Sequence, residues 1–210
     1  MESLSRPTRS KRKFSASFNM AVRWLHIYIS MLGFLTLIFF SFTGITLNHP
    51  TWFGGETAVN RNVTGKLPLE WLTPSGSEPS LNQLQIAEEL REKNRLRGRV
   101  ADFRESEDDC SLTFKGPGYS ADALIDRKTG DYELTIVEFG LVGRWNDLHK
   151  GRDSGLAWSW LIDISAVVMI ISAVTGLVML LFIKRKRNSG LVTTLVGAVL
   201  FMIFYWWLVP

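Results

Sequence analysis

The side chains of this chain that could take part in the most kinds of chemistry are its histidines, and each lies at or near the edge of an apolar run. The sequence of 210 residues has only three, His26, His49 and His149. Neutral imidazole binds iron well and tolerates an apolar setting. Histidines on neighbouring helices are therefore the residues that would hold the iron of a b-type haem within a membrane.

One pairing follows from the positions alone. His49 ends the first apolar run and His149 precedes the second, so antiparallel neighbouring helices would bring them to one face, where both can ligate a single haem. His26 lies at the other end of the first run. Because two bis-histidine haems need four histidines, a haem at His26 requires a partner chain, a second copy or a weak ligand such as Met179.

A second reading of the same residues is purely structural. At 100° per residue, His26, Gly33, Phe40 and Gly44 share one helix face. The glycines on that face either leave room for a flat macrocycle or allow two helices to pack closely. A histidine at a membrane edge is also a common interfacial anchor, and His149 can equally lie in a solvated turn. The sequence leaves these alternatives open.

Three apolar runs must position these residues: Ile27–Leu47, Leu156–Ile183 and Leu191–Val209. A hydrocarbon core about 30 Å thick needs about 20 apolar residues in a helix, so each run is long enough to cross. Asp163 is the only residue within them that carries a charge at neutral pH. An intramembrane carboxylate normally has a partner or a role, so we expect Asp163 to pair with a polar group of another helix, with proton relay as the alternative. It shares a side with His149 if the helix between them is continuous.

Basic residues set the expected orientation. Residues 1–26 carry a net charge of +5, and Lys184–Arg187 add four positive charges. Short basic segments stay in the cytoplasm, so the segment between the first two runs faces outward and the C-terminus ends outside. The predicted order is a basic cytoplasmic tail (1–19), a transmembrane helix (20–49), an outer domain (50–150), a second transmembrane helix (151–183), a cytoplasmic loop (184–190) and a third transmembrane helix (191–210).

The outer segment has the pattern of a small α+β domain. Glycines and prolines in residues 51–79 indicate loop and linker. Ser80 is expected to cap a helix over residues 80–94. Four strands are predicted beyond it, over residues 100–105, 110–115, 119–125 and 132–137. Cys110 is the only cysteine, which excludes an intrachain disulfide and a cysteine cluster. No nucleophile–base pair is apparent, so the sequence predicts no enzyme active site in this domain.

Several short motifs of this chain have the same order and spacing as the motifs of a known family. Their residues are Arg23-x-x-His26, Thr43-Gly44, Asp147-Leu148-His149-Lys150-Gly151, Trp160-x-x-Asp163-x-Ser165-Ala166, Thr175-Gly176 and the strand-turn Ile125–Gly130. With these motifs, residues 20–210 resemble the PepSY-associated transmembrane helix family. The resemblance implies a bacterial inner-membrane protein with a PepSY-like outer domain. Some members of the wider family are haem-containing reductases that pass electrons to ferric siderophores or periplasmic flavoproteins.

Carried over by position, His26, His49 and His149 are the matching histidines, with Gly33, Gly44, Asp163 and Gly176 as supporting residues. The first functional hypothesis is a b-type haem protein that passes electrons to a periplasmic acceptor, and whether it is itself a reductase stays open. The second is a haem-free accessory subunit that presents a PepSY docking domain to a larger membrane complex. The expected partners are the bilayer, a flavoprotein or ferric siderophore, and a second copy or larger complex, but not nucleic acid.

Overall fold

The computed structural model of the chain describes residues 9–72 and 81–210. It separates into two compact units, one formed by the chain up to Leu37 with Asp163–Pro210, the other by Ile38–Ile162. The elements are α1 (Arg9–Leu32), α2 (Phe34–Asn48), β1 (Ala58–Lys66), α3 (Gln83–Asn94), β2 (Arg99–Glu105), β3 (Asp109–Gly116), β4 (Tyr119–Asp126), β5 (Asp131–Phe139), α4 (Leu141–Lys150), α5 (Leu156–Phe182) and α6 (Arg187–Leu208).

Two of the described helices, α5 with 27 residues and α6 with 22, are long and apolar enough to cross a membrane. A third span exists if α1 and α2 act together, since they are bent by 53° at a short break. The transmembrane helix predicted over residues 20–49 thus corresponds to two helices that meet at a bend. The break falls at Gly33, a weak helix former whose carbonyl also accepts a hydrogen bond from the Thr36 hydroxyl at 2.9 Å.

The sheet has five antiparallel strands in the order β1-β5-β4-β3-β2. The four predicted strands are confirmed to within two residues at each end. The loop prediction for residues 51–79 is wrong over Ala58–Lys66, because β1 pairs with β5 along its whole length, from Ala58 opposite Phe139 to Lys66 opposite Asp131. β1 is an edge strand, and only Val63 packs against the core. It therefore lacks the alternating apolar pattern that marks β3, β4 and β5.

Residues 58–139 form a unit that we call the sheet domain. Helix α3 covers one face of the sheet, and the core of the domain lies between them. Ile86 and Leu90 of α3 are fully buried, as are Phe114 and Ile125 on the strands. The side chain of Asn82 accepts a hydrogen bond from Gln85 N and caps the helix. Ser80, the predicted cap, lies outside the described residues.

The single thiol belongs to this core. Cys110 is completely buried, and desolvation raises its pKa to about 11 despite the opposing charge of Arg127. A thiol with so high a pKa carries almost no thiolate at neutral pH. Cys110 is therefore a core residue that packs like a small hydrophobe.

Candidate functional site

His26 lies on α1 with its ring against α5. Its Nδ1 is 3.0 Å from Thr175 Oγ1 and 3.1 Å from the carbonyl oxygen of Ser172. Because a carbonyl only accepts, Nδ1 carries the proton and donates. A Cβ added at Gly176 would lie 3.1 Å from His26 Cε1, so the ring approaches this helix closely at the glycine.

His149, near the end of α4, makes the corresponding contact with α2. Its Nδ1 lies 2.6 Å from Thr43 Oγ1, and the Thr43 hydroxyl donates to the Phe39 carbonyl at 2.6 Å. Nδ1 is therefore again the donor. A Cβ at Gly44 would be 3.9 Å from His149 Cε1, and the ring meets Phe40 edge-on at 5.1 Å between centroids. Burial lowers the pKa of His149, with a smaller contribution in the same direction from Lys150.

The two contacts share one design, which we call the Thr-Gly/His clamp. In each, a threonine hydroxyl accepts from an imidazole Nδ1, and the ring lies beside the glycine that follows. An added Cβ would be tight against the ring at Gly176, and in ordinary van der Waals contact with it at Gly44. One clamp is Thr175-Gly176 with His26, and the other is Thr43-Gly44 with His149. Each threonine also donates to a carbonyl of its own helix, so both hydrogen-bonding functions of the hydroxyl are satisfied.

The motif Asp147–Gly151 connects three neighbours of α4. Asp147 Oδ2 accepts from Gly118 N, in the turn between β3 and β4, at 2.9 Å. The Leu148 carbonyl accepts from Trp158 Nε1 of α5 at 2.8 Å. Gly151 ends the helix with a positive φ of 68°, which suits glycine. Together with the His149 clamp, these contacts fix α4 between the sheet domain, α2 and the start of α5.

A further polar contact lies one turn from the His149 clamp and was not predicted from the sequence. The hydroxyl of Thr46 donates to Asn146 Oδ1 at 2.6 Å, and both residues are buried. Thr46 follows Thr43 by three residues, and Asn146 precedes His149 by three, so both pairs are one helical turn apart. That matching spacing is the only sequence signal, and it has meaning only once α4 is known to be a helix.

His49 is placed differently. Its ring stacks on Trp52 with centroids 4.0 Å apart and an interplanar angle of 11°, and its backbone N–H still bonds to the Ile45 carbonyl. Helical geometry puts residue 49 about 9 Å along the axis from residue 43 and about 120° around it. His149 contacts Thr43 of α2, whereas His49 lies just beyond the last residue of that helix.

Gly33 is packed against a neighbouring helix, whereas Asp163 is exposed. A Cβ at Gly33 would be 2.8 Å from Val168 Cγ1, so this glycine serves close packing against α5. Asp163 is exposed on α5 and makes no hydrogen bond or ion pair with the residues that the structure describes. The helical wheel joining it to His149 does not apply, because a turn with left-handed residues at Gly151, Asp153 and Gly155 separates α4 from α5.

A haem would have to fit these surroundings. Ligation by His26 or His149 would use Nε2, since the clamps occupy Nδ1. Neither ring has a second imidazole among its described contacts, and the described residues contain no group of three or more His, Cys, Asp or Glu side chains able to hold a metal ion. The glycine face expected to admit a macrocycle packs against Val168 and His149 instead. This arrangement fits helix packing better than a haem cleft, and haem ligation stays a prediction.

Comparisons with known proteins bear on the whole chain. Residues 20–210 match the model of a protein family described as Putative PepSY_TM-like. This match covers both clamps and the sheet domain. No curated protein and no solved structure matches the chain.

Proposed function

This chain belongs to the PepSY_TM-like family, and we propose that it is a membrane-anchored accessory module that presents its sheet domain to a partner in a larger complex. The observation that carries the proposal is that two of the three histidines are used to join helices. In both clamps Nδ1 donates to a threonine and the ring lies against a glycine. The third histidine stacks on a tryptophan. These are structural roles.

The proposed anchor has three spans, formed by α1 with α2, by α5 and by α6, in the bacterial inner membrane. The basic N-terminal region and Lys184–Arg187 support a cytoplasmic N-terminus. With three spans, the sheet domain and the C-terminus would then face the periplasm. Reporter fusions test this arrangement. A periplasm-active phosphatase fused after Leu72 and after Pro210 should be active, and one fused after Lys186 should be silent; the opposite pattern would refute the orientation.

The proposed docking surface is the face of the sheet opposite α3. Along β4, residues 119, 121, 123 and 125 are buried under α3, while Asp122, Leu124 and Asp126 alternate with them and are exposed. Asp131, Glu133 and Thr135 of β5 are exposed in the same way. A photo-crosslinking residue at Asp122 or Thr135 should form a discrete adduct in cells. Leu84, exposed on α3, is the control position, and equal crosslinking there would contradict a dedicated face.

The second candidate is the b-type haem protein that moves electrons to a periplasmic flavoprotein or ferric siderophore, and one observation favours it. A ligating histidine usually donates its other ring N–H to a fixed acceptor. Thr175 and Thr43 accept from Nδ1 of His26 and His149, which leaves each Nε2 as the nitrogen available to iron. A haem bound there would supply the redox centre for outer-sphere electron transfer.

Absorption spectroscopy of the purified protein separates the two. If the accessory proposal holds, the dithionite-reduced protein shows no α-band of a low-spin b-type haem, even after expression with added haem. If the second candidate holds, the band is present in the wild type and lost in His26→Ala or His149→Ala. Thr193→Val, whose hydroxyl bonds only within its own helix, α6, is the matched control and should change neither result.

A further inference from the structure

Apolar rings lie exposed where α2 ends and the chain turns toward the sheet domain. We call Phe42, Trp52, Phe53 and Trp145 the aromatic patch. The Phe42 ring lies 6.0 Å from that of Phe53 and 6.1 Å from that of Trp145, and the Trp52 and Phe53 rings are 6.5 Å apart. Leu141, one turn before Trp145 on α4, extends the same apolar edge. The patch therefore joins α2, the turn after it and α4.

Phe53 is in an unfavourable state in water for two separate reasons. Its φ of 53° and ψ of 24° place a non-glycine residue in the left-handed region, which costs about 1–2 kcal/mol. Its side chain is also 71 % exposed. Folding usually hides a phenylalanine, and a strained backbone that instead displays one points to a role for the exposed ring.

The surrounding packing holds this conformation firmly. A Cβ added at Gly55 would lie 2.6 Å from the Pro50 carbonyl oxygen, and one at Gly143 of α4 would lie 2.9 Å from the Gly55 carbonyl oxygen. Two glycines thus let the turn sit directly on α4. The turn is also closed by hydrogen bonds from Trp52 N to the His49 carbonyl and from Gly55 N to the Trp52 carbonyl. The Phe53 ring is therefore presented by a tightly packed segment.

We propose that the aromatic patch lies in the membrane–water interface and rests the base of the sheet domain on the lipid surface. The proposal depends on the anchoring proposed above, because Phe42 belongs to α2 and makes the patch continuous with the surface of that span. Tryptophan and other aromatic rings concentrate at this interface, where an apolar body and a polar edge are both accommodated. Arg144 and Lys150 of α4 are exposed and supply positive charge for lipid phosphates. Insertion of Phe53 removes its exposure to water and gives the strained turn a function.

Site-directed fluorescence tests this arrangement in the full chain reconstituted into liposomes of phosphatidylethanolamine and phosphatidylglycerol. Phe53→Cys and, separately, Leu141→Cys carry an environment-sensitive dye, and lipids with a nitroxide near the headgroup act as quenchers for these positions and for position 84. Lipids with a nitroxide deep on the acyl chain are the quenchers for position 35, which lies near the middle of the proposed span. Native Cys110 is completely buried, so the unmodified protein is the labelling blank. Leu84→Cys on α3 is the matched control in the sheet domain, since Leu84 is apolar and 74 % exposed. Leu35→Cys, on α2 and 76 % exposed, reports on the anchor itself.

The proposal predicts that dyes at positions 53 and 141 are quenched about threefold or more above the dye at position 84. Quenching at both positions no greater than at position 84, while position 35 is quenched, would overturn the interfacial placement and leave the anchor intact. Such a result would mean that the patch meets water or another protein. Absence of quenching at position 35 would instead refute the anchoring and the interfacial placement together.

Discussion

Replacing Thr43 with valine tests the Thr-Gly/His clamp with almost no change of shape. Thr43 is fully buried, and its hydroxyl is the acceptor for His149 Nδ1 at 2.6 Å. Valine keeps the β-branched volume and removes only the oxygen, so no cavity forms. The substitution leaves the His149 N–H without its acceptor in a partly buried site. It also releases the Phe39 carbonyl, but that group retains its backbone role in the helix.

The expected loss can be worked out from this contact. Interhelical hydrogen bonds in membrane proteins average about 0.6 kcal/mol and reach about 1.7 kcal/mol, and a buried donor left unpaired costs about 1–3 kcal/mol. The short distance and complete burial of Thr43 favour the upper part of the first range. We therefore expect Thr43→Val to weaken the attachment of α4 to α2 by about 1–1.5 kcal/mol.

Hydrogen exchange followed by mass spectrometry measures this locally. A loss of about 1–1.5 kcal/mol corresponds to roughly five- to tenfold faster exchange where opening precedes exchange, in peptides covering Leu141–Lys150. Peptides covering α3 should be unchanged, because α3 belongs to the sheet core. Thr193→Val is the control, since that hydroxyl bonds only to the Ser189 carbonyl of its own helix, α6. Equal exchange of α4 in the two variants would refute the clamp, and a double-mutant cycle with His149→Leu would show no coupling.

Four further outcomes follow from the same contacts. Gly33→Ala should destabilise the protein, because its new Cβ would lie 2.8 Å from Val168 Cγ1, whereas Gly197→Ala, with no described atom within 4 Å, should be neutral or stabilising by up to about 1 kcal/mol in thermal unfolding. The lowered pKa of His149 means that the unfolded chain binds a proton more readily, so protection of α4 should fall as pH drops below the ordinary value of 6.5, and His149→Gln should flatten this dependence. Cys110, buried and with a pKa of about 11, should resist maleimide at pH 8 until the protein is unfolded, and labelling of the folded protein would contradict its place in the core. Asp163→Leu should leave the fold intact and ease membrane insertion by about 1–3 kcal/mol, measured by glycosylation-based insertion, and a loss of folded protein would reveal a partner for this carboxylate.

The sequence predicted those parts of the fold that have a periodic signal. Strands β3 to β5 alternate buried and exposed residues, as Cys110, Leu112 and Phe114 do along β3, and such a period is visible without a structure. β1 has no such period, because an edge strand with one partner buries little and is held by backbone hydrogen bonds that any side chain permits. The break at Gly33 was hidden for a similar reason, since an uncharged apolar run looks the same whether or not it bends.

The candidate site shows a different limit. The sequence identified His26, His149 and both Thr-Gly pairs as distinctive. It did not show that His26 would meet Gly176 or that His149 would meet Gly44. His26 and Gly176 are 150 positions apart, and no helical wheel relates two helices to each other. An interpretation based on chemistry assigned the histidines to iron, because imidazole is the commonest metal ligand among side chains. The structure adds the hydroxyl that each imidazole meets.

A clamp of this kind is suited to a membrane in a way that an apolar contact is not. Between lipid-facing helices the hydrophobic effect gives little preference for protein over lipid, so close packing at glycine and hydrogen bonds between helices must supply the specificity. Thr175-Gly176 provides both within two residues, where His26 of α1 meets α5. The imidazole of His26 is a donor that lipid tails cannot satisfy, and a wrong helix pairing would leave it unpaired. The clamps therefore fix which helix faces overlap, and through Asp147 on the same short helix the His149 clamp also fixes the position of the β3–β4 turn of the sheet domain.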